Sequence, residues 1–220
     1  MKGDILESKK TSNKFTLAIH STDNSYCFAI RKNNDLKSDR VLIKKFEQDL
    51  CNNLIIDFNN FISNEDLKKI NNMSVSIGPG NFNASRLVVV LARTISQQLN
   101  CPLNGYSSFE LMARRIALKH NIYIKKQSFW IYKNLKRRGF IAGKYEVYDS
   151  DLNNKNITIK EKEAPRVLEE LNIKESNFIA NYEDENDLRE LLNLSFQNLN
   201  NSNFKSWKDV LPLYLISPIN

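Results

Sequence analysis

The chain has 220 residues, 41% of them hydrophobic, and a formal net charge of +7. That length buries a core for one large domain or two small ones, and no apolar run approaches the roughly 20 residues that span a bilayer. Cys27, Cys51 and Cys101 are widely spaced, with no CxxC or Cys/His cluster; neither a disulfide framework nor a zinc site is indicated, and the three are expected as small hydrophobes in a reducing compartment, the cytoplasm.

Met1–Lys14 is polar and has no apolar h-region, so it reads as a frayed leader and not as a secretory signal. Phe15–His20 and Tyr26–Arg31 flank the polar turn Ser21–Ser25, a β-hairpin pattern, and Val41–Lys45 follows as a third strand. Leu50, Leu54, Phe58, Phe61 and Ile62 recur at helical spacing over Leu50–Ile62. Ser63 or Asn64 then caps a short turn over Glu65–Ile70. Met73–Ile77 is a strand running into Gly78-Pro79-Gly80. The helix expected next, Asn83–Leu99, lines one face with Leu87, Val88, Leu91, Ala92, Ile95 and Leu99, capped by Asn81 or Asn83.

After Pro102, Leu103–Tyr106 is a short strand, and Ser107-Ser108-Phe109-Glu110 has capping-box spacing, opening a helix to about His120. Ser128–Asn134 and Phe140–Tyr148 flank Leu135-Lys136-Arg137-Arg138-Gly139 as a second hairpin. Ile157–Ile159 is expected as a strand, Pro165–Leu171 as a helix, Asn177–Ala180 as a strand, Asp187–Leu194 as a helix and Val210–Ile216 as a last extended piece. Hairpin, strand and helices thus occur twice, an echo of structure rather than a sequence repeat, and mixed sheets covered by helices follow: an α/β fold. The divisions expected are a leader over 1–14, an N-terminal subdomain over 15–106 and a C-terminal subdomain over 107–220.

Charge is uneven along the chain. Residues 1–150 hold 24 Lys+Arg against 13 Asp+Glu, and residues 151–220 hold 8 against 12. A basic front suits a polyanionic partner; a solvated lysine-rich surface explains it equally. Lys133, Lys136, Arg137, Arg138 and Lys144 crowd among Phe129, Trp130, Tyr132, Phe140 and Tyr145. Such a mixture binds phosphates and stacks on bases, unless alternate strand residues simply bury the aromatics.

The strand–Gly-Pro-Gly–helix unit has two physical readings. Its helix N-terminus could cradle an anion, or the loop could be a rigid corner whose following helix is a docking surface. Arg86 is either a solvated cation or an interface anchor, and Phe82 a staple into the core. Ser21, Ser107 and Ser108 sit at turns and caps without an assignable base, and no G-x-S-x-G elbow exists. His20 and His120 are the only histidines, so no H-x-x-x-H metal pair can form.

Val75–Arg86, VSIGPGNFNASR, resembles the TsaB (YeaZ-like) pattern in which a strand leads into G-P-G-S-F-T-G-L-R. Gly78, Pro79, Gly80, Phe82 and Arg86 match it; Asn81, Asn83, Ala84 and Ser85 depart. Leu17–Thr22 is similar to the family's opening strand, with His20 in place of an aspartate, and Leu103–Ala113 is similar to its valine-glycine-valine-Ser-Ser-Leu-Glu stretch. Lys136–Tyr145 resembles its second hairpin, and Pro212-Leu213-Tyr214-Leu215 its ending, with Ile216 where arginine is usual.

The resemblance implies a duplicated actin-like (ribonuclease H-like) ATPase fold, with mixed sheets flanked by helices and a degenerate nucleotide cleft. It implies a non-catalytic scaffold that supports a TsaD-like transferase in threonylcarbamoylation of the adenosine next to the anticodon of tRNAs. A TsaE-like ATPase and tRNA complete the complex, a homodimer is possible, and no membrane is involved. Docking would fall on Gly78, Pro79, Gly80, Phe82, Arg86 and Arg93; weak tRNA contact would fall on Lys133, Lys136, Arg137 and Arg138. No intrinsic cofactor is expected, ATP and metal belonging to the partner subunits. ATP chemistry in this fold needs Gly-rich turns and carboxylates for Mg²⁺; the first turn has no glycine and no glycine follows Gly143. The alternatives are a small-molecule kinase or ATPase of the actin-like class and a stand-alone tRNA-binding module.

Overall fold

A computed structural model describes residues 14–35, 37–46, 49–125, 127–136, 138–151, 156–200 and 205–215. The expected leader, Arg137 and Ile216 lie outside these residues, Lys14 apart.

β1 (Phe15–Ser21) and β2 (Ser25–Lys32) form the expected antiparallel hairpin, and β3 (Arg40–Lys45) adds to β2. α1 (Leu50–Phe61) follows, then the single turn α2 (Asn64–Leu67), capped by Ser63 through the Asp66 N–H. β4 (Ile70–Ser76) runs parallel to β1, so Ile70, expected in the turn, already belongs to a strand. After Gly78-Pro79-Gly80 comes α3 (Phe82–Leu99), capped by the Asn81 side chain on the Ala84 N–H, and then β5 (Leu103–Tyr106), parallel to β4. The first sheet is ordered β3-β2-β1-β4-β5.

α4 (Ser108–Lys119) is capped by Ser107, whose Oγ accepts from the Glu110 N–H, and the short α5 (Ile122–Lys125) follows it. β6 (Ser128–Asn134), β7 (Phe140–Asp151) and β8 (Asn156–Leu168) meander antiparallel, and β9 (Asn177–Ile179) lies parallel to β6. The second sheet is therefore ordered β8-β7-β6-β9. Each sheet has three antiparallel strands in reverse order, with the next strand placed parallel to the first. This is the expected duplication, read directly from topology.

Two elements depart from expectation. The helix expected over Pro165–Leu171 is instead the end of β8, where Arg166, Val167 and Leu168 pair with Ala142, Ile141 and Phe140. Pairing with a remote strand overrides local propensity there, and Pro165 sits on an edge strand, where a missing N–H is tolerated. The second departure is in domain assignment. α6 (Asp184–Asn200) is longer than the expected Asp187–Leu194, and it belongs with the first sheet. One unit runs to Tyr106 and takes back Asp184–Pro212; the other holds Ser107–Glu183 and the residues from Leu213. The expected 107–220 unit thus gives up its last helix, because Leu188, Leu191 and Leu192 are fully buried against β1, β2 and β4. Beyond it, a 3₁₀ turn (Trp207–Asp209) precedes the expected extended tail, whose described residues 210–215 join no sheet.

In the first unit, α1 and α3 share one core with the sheet: Leu54 and Phe58 from α1, and Val88, Val89, Ala92 and Ile95 from α3, meet Leu17, Ile19, Phe28, Met73 and Val75. Burying a side chain such as Phe28 contributes roughly 2–3 kcal/mol. The second unit has its own core around Phe109, Met112, Phe129, Ile131 and Tyr145.

Candidate functional site

The Gly-Pro-Gly corner is closed on itself. Gly78 has φ 102, a left-handed conformation that favours glycine. A Cβ on Gly80 would stand 3.3 Å from the Thr22 carbonyl oxygen, so the loop is drawn tightly against the β1–β2 turn. The Asn81 N–H donates to that same carbonyl at 3.1 Å, and the Ser21 N–H donates to Ser76 Oγ at 3.0 Å. Thr22 Oγ1 and Ser25 Oγ lie 2.6 Å apart. Asn81 thus spends its own N–H on Thr22 and caps the Ala84 N–H with its side chain, so two of the donors that could face an anion at this helix N-terminus are engaged within the corner. Of the two readings of this loop, the geometry favours the rigid corner.

His20 is fully buried on β1, and neither ring nitrogen makes a hydrogen bond. Burial lowers its pKa to about 4, against the opposing pull of Asp184, so the ring is neutral at pH 7. Burial pushes Asp184 up, but its hydrogen bonds from Lys45 and Ser25 outweigh that and leave it below the usual carboxylate range. His120 ends α4 with its ring 4.5 Å from Phe178. Among the described residues, no group of three or more His, Cys, Asp or Glu side chains could hold a metal ion. Ser107 is a cap bonded to Tyr145 Oη (3.0 Å) and Glu161 (2.9 Å), and Ser108 is buried.

The corner aims α3 so that Arg86, Val90 and Arg93, at i, i+4 and i+7, share its outer face. The Arg86 guanidinium lies 5.2 Å from the Phe82 ring centroid, and that of Arg93 lies 5.6 Å from the Trp207 ring centroid. Val90 is 59% exposed between them. α3 contains no Asp or Glu. α1, over the same face of the sheet, turns Ile55 (47% exposed) and Ile56 (55%) outward among Asn52, Asn59 and Asn60. Its single carboxylate, Asp57, is engaged by Tyr26 Oη at 2.6 Å and faces Lys44.

Charge-poor helix faces with exposed aliphatics and ring-supported arginines have the composition of an interface, in which Arg is enriched and Asp, Glu and Lys are depleted. Gly78 and Pro79 are buried and Gly80 is half-buried, so these three residues set the entry of α3 and contribute little to its outer face. Helical periodicity marks the buried stripe of α3 but gives no place to exposed Val90, Ile55 and Ile56. The signal was present: Leu54-Ile55-Ile56 cannot all face inward on one helix.

The basic hairpin resolves differently. Phe129 and Tyr145 are fully buried, Trp130 nearly so, and Tyr132 packs edge-on against Phe140. The aromatics are packing groups, and no base-stacking row exists among them. Lys144 is tied to Glu175 at 2.8 Å and lies over Trp130, whose Nε1 also donates to Glu175. Those two bonds hold the Glu175 carboxyl low. Lys133 sits over Tyr182. Lys136, at φ 58, and Arg138 are exposed at the turn, while Arg137 is outside the described residues.

No family model matches the chain. The tRNA threonylcarbamoyladenosine biosynthesis protein TsaB of Buchnera aphidicola is 27% identical over 88 residues, 36% of this chain and 40% of that protein; the chain thus spans less than half the length of this curated relative. YeaZ from Pseudomonas aeruginosa superposes over 92% of this chain and 100% of its own with a TM-score of 0.64, at 13% identity. A second Pseudomonas aeruginosa structure, of an uncharacterised protein similar to the peptidase YeaZ, gives 0.65 at 12% identity with the same coverage. At such identities the superpositions speak for the fold, and the duplicated mixed sheets described above are that fold. In fold, and over part of its sequence, the chain is TsaB/YeaZ-like.

Proposed function

We propose that the chain works in tRNA threonylcarbamoyladenosine biosynthesis as a non-catalytic scaffold subunit, docking on a TsaD-like transferase through the outer faces of α1 and α3. The observation that carries the reading is the pairing of a Gly-Pro-Gly corner drawn against the β1–β2 turn with two charge-poor helix faces exposing Ile55, Ile56 and Val90. The Asn81 and Ala84 N–H groups of the corner are already engaged, while the helices it positions leave apolar surface uncovered. The name of the Buchnera relative supports the pathway. In this reading a TsaE-like ATPase joins the complex, ATP and metal sit on the partner subunits, and the protein is cytoplasmic.

Reconstitution tests it. The chain, the TsaD-like and TsaE-like proteins of the same organism, the threonylcarbamoyl donor and an unmodified tRNA are combined, and modification is followed by nucleoside mass spectrometry. Modified adenosine is expected only when the chain is present, with no ATP turnover by the chain alone. Full modification without it, or ATP hydrolysis by the isolated chain, overturns the reading. Exposed Lys136 and Arg138 favour an added role in holding the tRNA backbone within the complex. Lys136→Gln/Arg138→Gln is then expected to weaken tRNA binding by the complex and flatten its salt dependence.

A further inference from the structure

We infer that α6 is a latch: it lifts from the first sheet as a unit while the rest of the fold stays closed, and protonation of His20 drives the lifting.

α6 adds little to the apolar cores. Its fully buried residues are Asp187, Leu188, Leu191, Leu192 and Ser195, and neither core cluster includes the three leucines. Lifting the helix therefore leaves the layer under α1 and α3 intact. Directed bonds hold it instead. Asn72, Ser74, Arg31 and Tyr106 donate to Ser195, Leu191, Asn193 and Leu194, and water satisfies all of these groups once the helix is away. The seam also leaves polar atoms unmet. Both ring nitrogens of His20, Asn72 Oδ1 and both amide atoms of Asn104 are buried beneath α6 without a partner among the described residues. Each burdens the closed state, and opening relieves it by letting water in.

His20 makes the seam sensitive to acid. The titratable and charged groups around it are Cys27 from β2, its cross-strand partner, Lys45 from β3, and Asp184 and Asp187 from the first turn of α6; β4 brings serines. Burial holds the ring neutral, with a pKa of about 4, against the pull of Asp184. A lifted helix returns the ring to water and to its ordinary value of 6.5. The open form thus takes up the proton first. The advantage of the closed form is whole above pH 6.5 and is lost as pH falls toward 4. From about pH 7.5 to about pH 5 the ratio of open to closed rises about thirtyfold.

The chain carries its own reporters. Cys51 is exposed, Cys27 is buried beside His20 near Asp184 and Asp187, and Cys101 is buried in the apolar cluster of the first sheet. The test is labelling of the full chain with dithiodipyridine at about pH 7.5 and about pH 5, each thiol being followed by peptide mass spectrometry. Cys51 reacts at once and sets the intrinsic rate. Relative to it, Cys27 is expected to react at least about tenfold faster than Cys101 at either pH, and to speed up about thirtyfold in acid. Ser195→Ala removes the Asn72 Nδ2–Ser195 Oγ bond and should speed Cys27 about fivefold with Cys101 unchanged. His20→Phe should abolish the acceleration in acid, and thermal melts confirm that both variants fold. If Cys27 and Cys101 react at one rate in the wild type, α6 opens only with the whole fold and the inference falls. It falls equally if Cys27, relative to Cys51, reacts alike at both pH values, or if the acceleration survives in His20→Phe.

Discussion

The two faces of the first sheet are built on opposite rules. Under α1 and α3, Leu17, Ile19, Phe28, Met73 and Val75 make a continuous apolar layer. Under α6, the same strands present Thr16, His20, Asn72, Ser74 and Asn104, all buried. There the helix is fixed by directed bonds: Asn72 Nδ2 donates to Ser195 Oγ (2.8 Å), Ser74 Oγ to the Leu191 carbonyl (3.3 Å) and Arg31 to Asn193 (3.0 Å). Apolar packing tolerates many arrangements, whereas a polar face accepts only the helix whose groups answer it. The difference separates two jobs. The polar face selects α6 from within the chain, and the apolar face anchors α1 and α3, whose outer surfaces are the ones proposed for docking.

This contrast can be broken most forcefully from the apolar side. Phe28→Ala removes a fully buried ring packed edge-on against Phe58, and a loss of about 4 kcal/mol is expected in denaturant unfolding. Nearly as large an effect is expected on the polar side from Asp39→Ala. Asp39 accepts from Arg31 Nη2 (2.8 Å) and Arg189 (2.7 Å), and removing it strands a buried guanidinium at a cost of roughly 3–4 kcal/mol.

His20 sharpens the comparison through pH. Its folded pKa of about 4 lies below the unfolded value of 6.5, so the unfolded chain binds the proton first. The stability tied to neutral His20 is therefore whole above pH 6.5 and drains away as pH falls toward 4, by roughly 3 kcal/mol in all. His20→Phe should flatten that part of the stability–pH curve; an unchanged slope between pH 6.5 and 4 would contradict it.

Asn104 makes no side-chain hydrogen bond although it is 1% exposed, so Asn104→Leu is expected to be neutral or to raise stability by about 1 kcal/mol. Smallest of all, Ile55→Ser/Ile56→Ser should shift the midpoint by no more than about 0.5 kcal/mol, since both side chains face outward. Measured in the same melts, a large loss there would place these residues in the core and remove them from the proposed docking face.

What sequence made legible was whatever is written locally. The hairpin around Ser21–Ser25, the Asn81 and Ser107 caps and the strand–corner–helix unit all depend on neighbours within a few residues. Long-range pairing was not legible. The Lys160–Glu163 stretch of β8 lacks an apolar alternation, and its strand identity comes from β7. α6 reads as an ordinary amphipathic helix; nothing in it names the sheet that receives Leu188 and Leu191. The proposed docking face was half legible. Arg86 stood out beside the corner, while Val90 was hidden because a valine in a helix is expected inside.

Chain order at the first unit has a consequence for synthesis. A ribosome completes β1 to β5, and then all of Ser107–Glu183, before α6 emerges. At 5–20 residues per second, the first sheet waits several seconds with one face bare. A greasy face in that interval would invite wrong partners. Asn72, Ser74 and Asn104 keep the waiting surface wettable until its own helix arrives.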